Sequence, residues 1–232
     1  MEKTPRKTQD APVPAMHDRV YAALRDALIT GRIPPGRGVS LRSLAAELGV
    51  SPMPVRDAVR RLVAERALTI NPDNKRLSAP SLTADRLEQL TLARGWIEPE
   101  LAARAAPKAD TDLIRALEAA DAGIDAALAV GDVDRYMAAN HAFHFLIYRR
   151  SGAEVLLSLA DSLWLQIGPF MRVVFGRMGT TGLDVDHHSQ AIAALRDRDA
   201  AAAARAIAAD LAIGMEAMRA AVEQTGREPP HD

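Results

Sequence analysis

The chain contains no cysteine, which excludes disulfide staples, thiolate zinc sites and cysteine nucleophiles. Aromatic residues make up only 4% of its 232 residues, so its core must pack mainly through Leu, Ile, Val, Ala and Met. Proline is nearly missing from the second half: of 14, only Pro169 lies between Pro107 and Pro229. That stretch, rich in Ala, Leu, Arg and Glu, is free to run as nearly continuous helix. No uncharged apolar run approaches the roughly 18 residues needed to span a bilayer. Met1 to Pro14 is basic and polar and lacks the apolar centre of a secretory signal. These absences predict a cytoplasmic protein with no membrane partner.

What is present is divided along the chain. The net charge is −1, but residues 1–80 carry 14 Lys+Arg against 8 Asp+Glu, while residues 81–232 carry 15 against 22. A basic third joined to an acidic remainder suggests a polyanion-binding module on a partner-binding body. Within the acidic part, Gly131-Asp132, Ser151-Gly152, the Gly176–Gly182 run and Asp197–Asp199 divide the helical texture. The pattern predicts an all-α antiparallel bundle, with six or seven helices depending on whether the Gly176–Gly182 run is a loop or a kink.

Before residue 80 the elements are shorter. Val20, Leu24, Ala27 and Leu28 mark one face of a first helix, ended by Gly31 and Pro34-Pro35-Gly36. Ser40 can cap a second helix carrying Leu41, Leu44, Ala45 and Leu48, closed by Gly49. Ser51 or a neighbour can cap a third, with Pro52 and Pro54 tolerated in its first turn. This helix buries Val55, Val59, Leu62 and Val63 and is predicted to reach about Ala67. Leu68 to Ile70, Asn71-Pro72-Asp73-Asn74 and Leu77 to Ala79 read as a hairpin. The fold class is therefore mainly α: an N-terminal winged helix-turn-helix followed by an all-α antiparallel bundle. The boundaries are a disordered tail at 1–14, a winged helix-turn-helix domain at 15–80, a linker at 81–84, an all-helical domain at 85–223 and a second tail at 224–232.

In such a fold the third helix enters the major groove with its N-terminal residues, Ser51 and Met53 among them, toward base edges. Arg56 and Arg60 share its outer face, where a guanidinium can pair bidentately with guanine. Arg61 lies further round and suits phosphate. Residues 17–80 resemble the DNA-binding domain of the GntR family of bacterial transcription regulators. The matching stretches are Leu28-Ile-Thr-Gly-Arg-Ile-Pro-Pro-Gly36, Leu44-Ala-Ala-Glu-Leu-Gly-Val-Ser51 and Pro54-Val-Arg-Asp-Ala-Val-Arg-Arg-Leu62. The resemblance implies DNA contacts from Arg42 and Arg56. Pro52 stands where the family commonly has another base-reading arginine. The wing has Lys75-Arg76 in place of the usual Arg-Gly, leaving a cationic tip suited to phosphate.

In the acidic body, Asn140-His-Ala-Phe-His144 puts Asn140 and His144 on one face, one turn apart. His188 follows on a later helix and Asp210 on the next. Two imidazoles and a carboxylate converging in a bundle could hold a divalent ion with Asn140 as a weak fourth ligand, or each could form an ordinary hydrogen-bonded pair. His141 and His187 read as solvent-facing neighbours, and Trp164 and Phe170 as core. Residues 85–222 resemble the FCD effector domain of the FadR branch of the same family, through Arg94-x-x-Ile-Glu98, the Phe-His end of the Asn140 segment, the helix start carrying His188 and the spacing to Asp210. Many such domains hold a divalent metal by an aspartate and three histidines, with a small carboxylate effector above it. The resemblance implies a metal set of Asn140, His144, His188 and Asp210, holding zinc, nickel or manganese. Here Asn140 replaces the aspartate and Asp210 the last histidine, so the formal ligand charge is unchanged. Effector contacts fall to Asn140 and Arg94. Arg94 can meet an organic-acid carboxylate or pair internally with Glu98.

The function these features imply is a ligand-responsive regulator, a repressor of a catabolic operon that binds a palindromic double-stranded operator as a homodimer. The competing readings are a helical metalloenzyme and a sequence-independent architectural DNA binder. No general base or nucleophile stands out beside the proposed ligands, so the protein is expected not to be an enzyme.

Overall fold

The computed structural model describes residues 15–36, 38–178 and 186–225. The tail at 1–14, most of the tail at 224–232 and the end of the Gly176–Gly182 run lie outside them. The N-terminal unit consists of α1 (Met16–Ile29), α2 (Leu41–Glu47), α3 (Pro52–Ala64), β1 (Thr69–Ile70) and β2 (Leu77–Ser78). The bundle consists of α4 (Ala84–Ala105), a 3₁₀ turn (Ala106–Lys108), α5 (Thr111–Val130), α6 (Val133–Arg150), α7 (Glu154–Met178), α8 (His187–Arg196) and α9 (Ala200–Thr225). It thus holds six α-helices among the described residues, and α9 continues two residues into the segment read as a tail.

Helix ends fall where the sequence supplies caps. The side chains of Ser40, Thr83, Asp110, Asp132, Asp186 and Asp199 each accept a backbone N–H three residues on, satisfying a donor that the helix leaves open. Thr83 sets the start of α4 at Ala84, inside the predicted linker. Gly131 ends α5 at φ 67°, the left-handed conformation that glycine takes without strain. Helix α3 stops at Ala64 rather than near Ala67 because the chain turns through Arg66, at φ 59°. The hairpin pairs Thr69 with Ser78 and Ile70 with Leu77, antiparallel. Val39 bridges Leu77 from the other side through reciprocal backbone hydrogen bonds of 2.7 and 2.8 Å.

There are two apolar cores. Leu24, Leu28, Leu44, Val55, Val59, Leu62 and Leu77 close the winged helix. The larger core fills the bundle around Leu101, Leu117, Phe143, Ile147, Trp164, Leu195 and Ile207. Helix α7 belongs to both, because Trp164 is in the bundle core while Leu165, the next residue, packs in the winged-helix core. Gly168 allows this approach: a Cβ there would lie 2.6 Å from the carbonyl oxygens of Leu28 and Ile29. Arg25–Asp161 and Arg172–Asp134 ion pairs flank the seat, and Arg172 also donates to the carbonyl of Thr30. No helix among the described residues is long and apolar enough to cross a membrane.

Candidate functional site

The winged helix presents its cations as follows. Buried Leu44 and Ala45 turn the rest of α2 outward, and buried Val55, Ala58, Val59 and Leu62 do the same for α3. Arg42, Ser51, Met53, Arg56 and Arg60 are exposed. Ser51 is the residue before α3, but its hydroxyl makes no capping bond. Met53, 63% exposed, is an apolar side chain in the first turn of the same helix. Arg42 and Arg56 make no hydrogen bond or ion pair with any described residue. Arg60 lies 3.7 Å from Asp57 in an exposed pair, which contributes little in water.

Arg61, further round α3, also has contacts within its own domain. Its guanidinium stacks 3.7 Å from the Tyr21 ring centroid and pairs with Glu65 at 3.3 Å. The stack ties one side of the guanidinium to α1 and the ion pair ties it to the end of α3, while the side chain stays 59% exposed. At the wing, Lys75 takes the left-handed backbone, φ 57°, that a glycine adopts without strain. Lys75 Nζ donates to the Pro72 carbonyl at 2.6 Å and Arg76 Nε to that of Gly38 at 2.8 Å, while both residues stay exposed. Thus the wing tip keeps its charge, with Arg76 braced against the loop before α2.

In the bundle, His144 of α6, His188 of α8 and Asp210 of α9 converge, their ligand atoms all within 4.8 Å of one another. His144 Nε2 is 3.3 Å from one Asp210 oxygen and His188 Nε2 is 3.5 Å from the other. Asn140 is buried on the same face of α6, one turn before His144. The opposite ring nitrogens are engaged elsewhere: His188 Nδ1 lies 3.1 Å from Asp121 Oδ1 on α5, and His144 Nδ1 lies 3.1 Å from the Tyr148 hydroxyl. His188 Nε2 is buried without a hydrogen-bond partner among the described residues. Burial and the neighbouring His144 push the His188 pKa down. Burial opposes the charge on Asp210, yet the hydrogen bond from His144 and the two imidazoles hold its carboxyl below the usual carboxylate range. Two nitrogen donors and a carboxylate facing one another fit a divalent cation of the imidazole-preferring type.

Arg94 does not face this site as a free cation. Its Nε and Nη2 donate to Glu98 at 2.5 and 3.2 Å, and its Nη1 contacts Met215 Sδ at 3.6 Å. Arg94 is 3% and Glu98 0% exposed. Glu98 Oε2 also accepts from the Tyr148 hydroxyl at 2.6 Å and from Trp164 Nε1 at 3.1 Å. Of the two readings of Arg94, the internal pair is the one formed. Its guanidinium keeps its charge although burial opposes it, because Glu98 is bonded to it. Burial, then Glu98, raises the Tyr148 pKa well above the ordinary phenol value.

His141 is a further correction, since it is not solvent-facing. It stacks on Phe145 at 4.2 Å and meets Trp164 edge-on at 5.3 Å. Burial lowers its pKa to about 3. His187, by contrast, bonds to Gln190 at the surface. Trp164 and Phe170 are buried, as the sequence suggested. Sequence reasoning did not find Asp121 or Tyr148. Tyr148 carried a signal, lying four residues beyond His144, whereas Asp121 carried none, being 67 residues from His188.

Comparisons with known proteins agree with this architecture. Residues 16–74 match the model described as bacterial regulatory proteins, gntR family, and residues 89–213 match the FCD domain. The chain is 26% identical over 178 residues to the HTH-type transcriptional regulator McbR of Escherichia coli, covering 76% of this chain and 80% of that protein. The solved structure of E. coli McbR/YncC is similar with a TM-score of 0.81 at 24% identity, covering 93% of this chain and all, 100%, of that one. A GntR-type transcriptional regulator from Rhodococcus sp. RHA1 follows the same fold with a TM-score of 0.67 at 23% identity, covering 92% and 99% of the two chains.

Proposed function

Because the chain belongs to the GntR family of bacterial regulatory proteins and carries an FCD domain, we propose that it is a homodimeric repressor released from a palindromic operator by a small organic acid. It is a transcriptional regulator and not an enzyme, as its relatives are regulators. The observation that carries the reading is the pair of guanidiniums, Arg42 and Arg56, exposed on α2 and α3 with no partner among the described residues.

In this reading Arg56 pairs with a guanine edge in the major groove, and Met53 offers an apolar contact for a thymine methyl. Arg42, Arg60, Lys75 and Arg76 neutralise phosphates, fixing register without carrying sequence information. The Ser51 hydroxyl is a further donor at the start of the reading helix. One winged helix reads few bases, so a two-fold pair of chains reading half-sites about one helical turn apart is the arrangement that gives specificity.

On the effector side, His144, His188 and Asp210 would hold a zinc, nickel or manganese ion, with the Asn140 carbonyl as a weaker oxygen ligand. A bound divalent ion supplies a positive centre for an effector carboxylate. With Arg94 tied to Glu98, the remaining contacts to the effector fall to Asn140 and its surroundings. Helix α7 offers the route outward, since Trp164 contacts the Glu98 network and Leu165 is seated in the winged helix. Effector binding need bias that seat by only about 1–3 kcal/mol to change operator affinity 5- to 150-fold.

The test has two arms. Operator fragments selected from genomic DNA are titrated with the purified protein by fluorescence anisotropy, with and without a panel of small organic acids. Sequence-specific binding that one acid weakens supports the reading, and equal affinity for all fragments rejects it. Metal content is then measured before and after chelation, beside Asp210→Ala. About one equivalent per chain, lost in the variant, supports the ligand set, and no metal under any loading condition rejects it.

A further inference from the structure

The two histidines that face Asp210 are held by partners on three helices, and those partners dictate where each ring carries its proton. Asp121, as a carboxylate, has only acceptor oxygens, so the 3.1 Å contact to His188 Nδ1 requires a proton on Nδ1. The Tyr148 hydroxyl has one proton, which it donates to Glu98 at 2.6 Å. Its oxygen is then left to accept, and the 3.1 Å contact to His144 requires a proton on that Nδ1 too. Glu98 accepts here from every side, because the Arg94 guanidinium donates twice to the same carboxylate.

The consequence falls on the inner nitrogens. In the neutral rings both Nε2 atoms carry lone pairs, and both point at the carboxylate of Asp210 from 3.3 and 3.5 Å. With both rings neutral, three acceptors face one another, and His188 Nε2 is buried with no hydrogen-bond partner among the described residues; the hydrogen bond from His144 to Asp210 forms only when His144 carries a second proton, on Nε2. A cation seated there turns that mutual repulsion into attraction.

We propose that Asp121 and the Tyr148–Glu98–Arg94 chain are positioning residues for the metal centre, fixing His188 and His144 as Nδ1-protonated rings whose Nε2 lone pairs are aimed at one point beside Asp210. The proposal rests on the metal reading above, and it goes further by assigning roles to residues that touch no ion. Outer partners of this kind raise the basicity of a histidine ligand and hold its plane, and their loss typically weakens metal affinity 10- to 100-fold. The site is therefore preorganised from two independent sides. Asp121 on α5 acts on His188, and Tyr148 on α6, backed by Glu98 on α4, acts on His144.

The experiment uses the full chain stripped of metal. Long-range ¹⁵N–¹H correlation spectra, recorded where the rings are neutral, report which ring nitrogen is protonated. Zn²⁺ affinity is measured by competition with a chromophoric chelator. In the wild type both rings should show the Nδ1-protonated form. Asp121→Ala should release His188 into a mixture of forms and weaken zinc roughly 10- to 100-fold. Asp121→Asn, whose amide oxygen still accepts from Nδ1, should recover most of that loss, a rescue that mere filling of space does not predict. Tyr148→Phe should act on His144 alone and leave the His188 resonances in place. Nε2-protonated rings in the wild type, or zinc bound equally by wild type, Asp121→Ala and Tyr148→Phe, overturn the proposal while leaving the metal ligands standing. Nδ1-protonated rings without any zinc binding sink the metal reading and, with it, the positioning role toward an ion.

Discussion

Replacing Glu98 by alanine is the sharpest available perturbation of the bundle, because four donors end on this one carboxylate. Arg94 gives two hydrogen bonds, Tyr148 one and Trp164 one, and all four residues are at most 3% exposed. Stranding a buried guanidinium costs about 3–5 kcal/mol. An orphaned buried hydroxyl or indole N–H adds about 1–3 kcal/mol each. These terms overlap, since the donors share an acceptor, so the single substitution should lose about 5 kcal/mol. For a chain of this length that lowers the melting temperature by roughly 10–20 °C. The control is Glu98→Leu combined with Arg94→Met, which removes both charges and fills the space. It should recover much of the loss, because a well-packed apolar replacement of a buried ion pair is often neutral. Calorimetry or circular dichroism on the three proteins, without added ligand, reads the outcome. A Glu98→Ala protein melting within about 2 °C of wild type would falsify the account of Arg94 as an internally satisfied group and return it to the pool of effector contacts.

Further expectations follow from other parts of the molecule. Arg56→Ala should weaken operator binding by about 1–3 kcal/mol, with discrimination relaxed at one base pair; anisotropy on operator variants checks it, and uniform weakening on all sequences counts against base reading. Arg61→Ala should instead cost about 1 kcal/mol of stability through the lost Tyr21 contact, with operator affinity changed only a few-fold; the reverse pattern would make Arg61 chiefly a phosphate contact. Gly168→Ala would drive a Cβ into the Leu28 and Ile29 carbonyls, costing about 1–3 kcal/mol and loosening the winged helix from α7; unchanged protease resistance of the segment between the domains would contradict it. His141 has a pKa of about 3 when folded against 6.5 when free, so the unfolded chain takes the proton first. Above pH 6.5 the residue adds no pH dependence, and below it the native state loses stability down to about pH 3. The stability gap between wild type and His141→Phe should shift against the wild type by about 2 kcal/mol between pH 7 and 5; urea titrations showing a constant gap reject this.

Much of the architecture was readable from residue order because it depends on local chemistry. Ser40 caps a helix, Gly131 ends one, and Pro52 opens one, and each acts within four residues of chain. The outer faces of α2 and α3 were readable for the same reason: a 3.6-residue period that buries Val55, Val59 and Leu62 must turn Arg56 outward. The stack of Arg61 on the Tyr21 ring was not readable in this way, because that ring lies on another helix.

The inner site divides along the same line. Periodicity placed Asn140 and His144 on one face of α6, and spacing nominated His188 and Asp210, but neither could say that Asp121 from α5 would reach His188. Nor could it choose between an effector and Glu98 as the partner of Arg94, since both satisfy a guanidinium equally well on paper. That choice was made when α4, α6 and α7 closed around Glu98 and brought Tyr148 and Trp164 to the same carboxylate. The double membership of α7, with Trp164 in one core and Leu165 in the other, likewise depended on Gly168 meeting the end of α1. Helical periodicity specifies which face of a helix is apolar, whereas the identity of the group that meets that face depends on how helices distant in sequence pack, and a buried charge must take its partner from whatever that packing delivers.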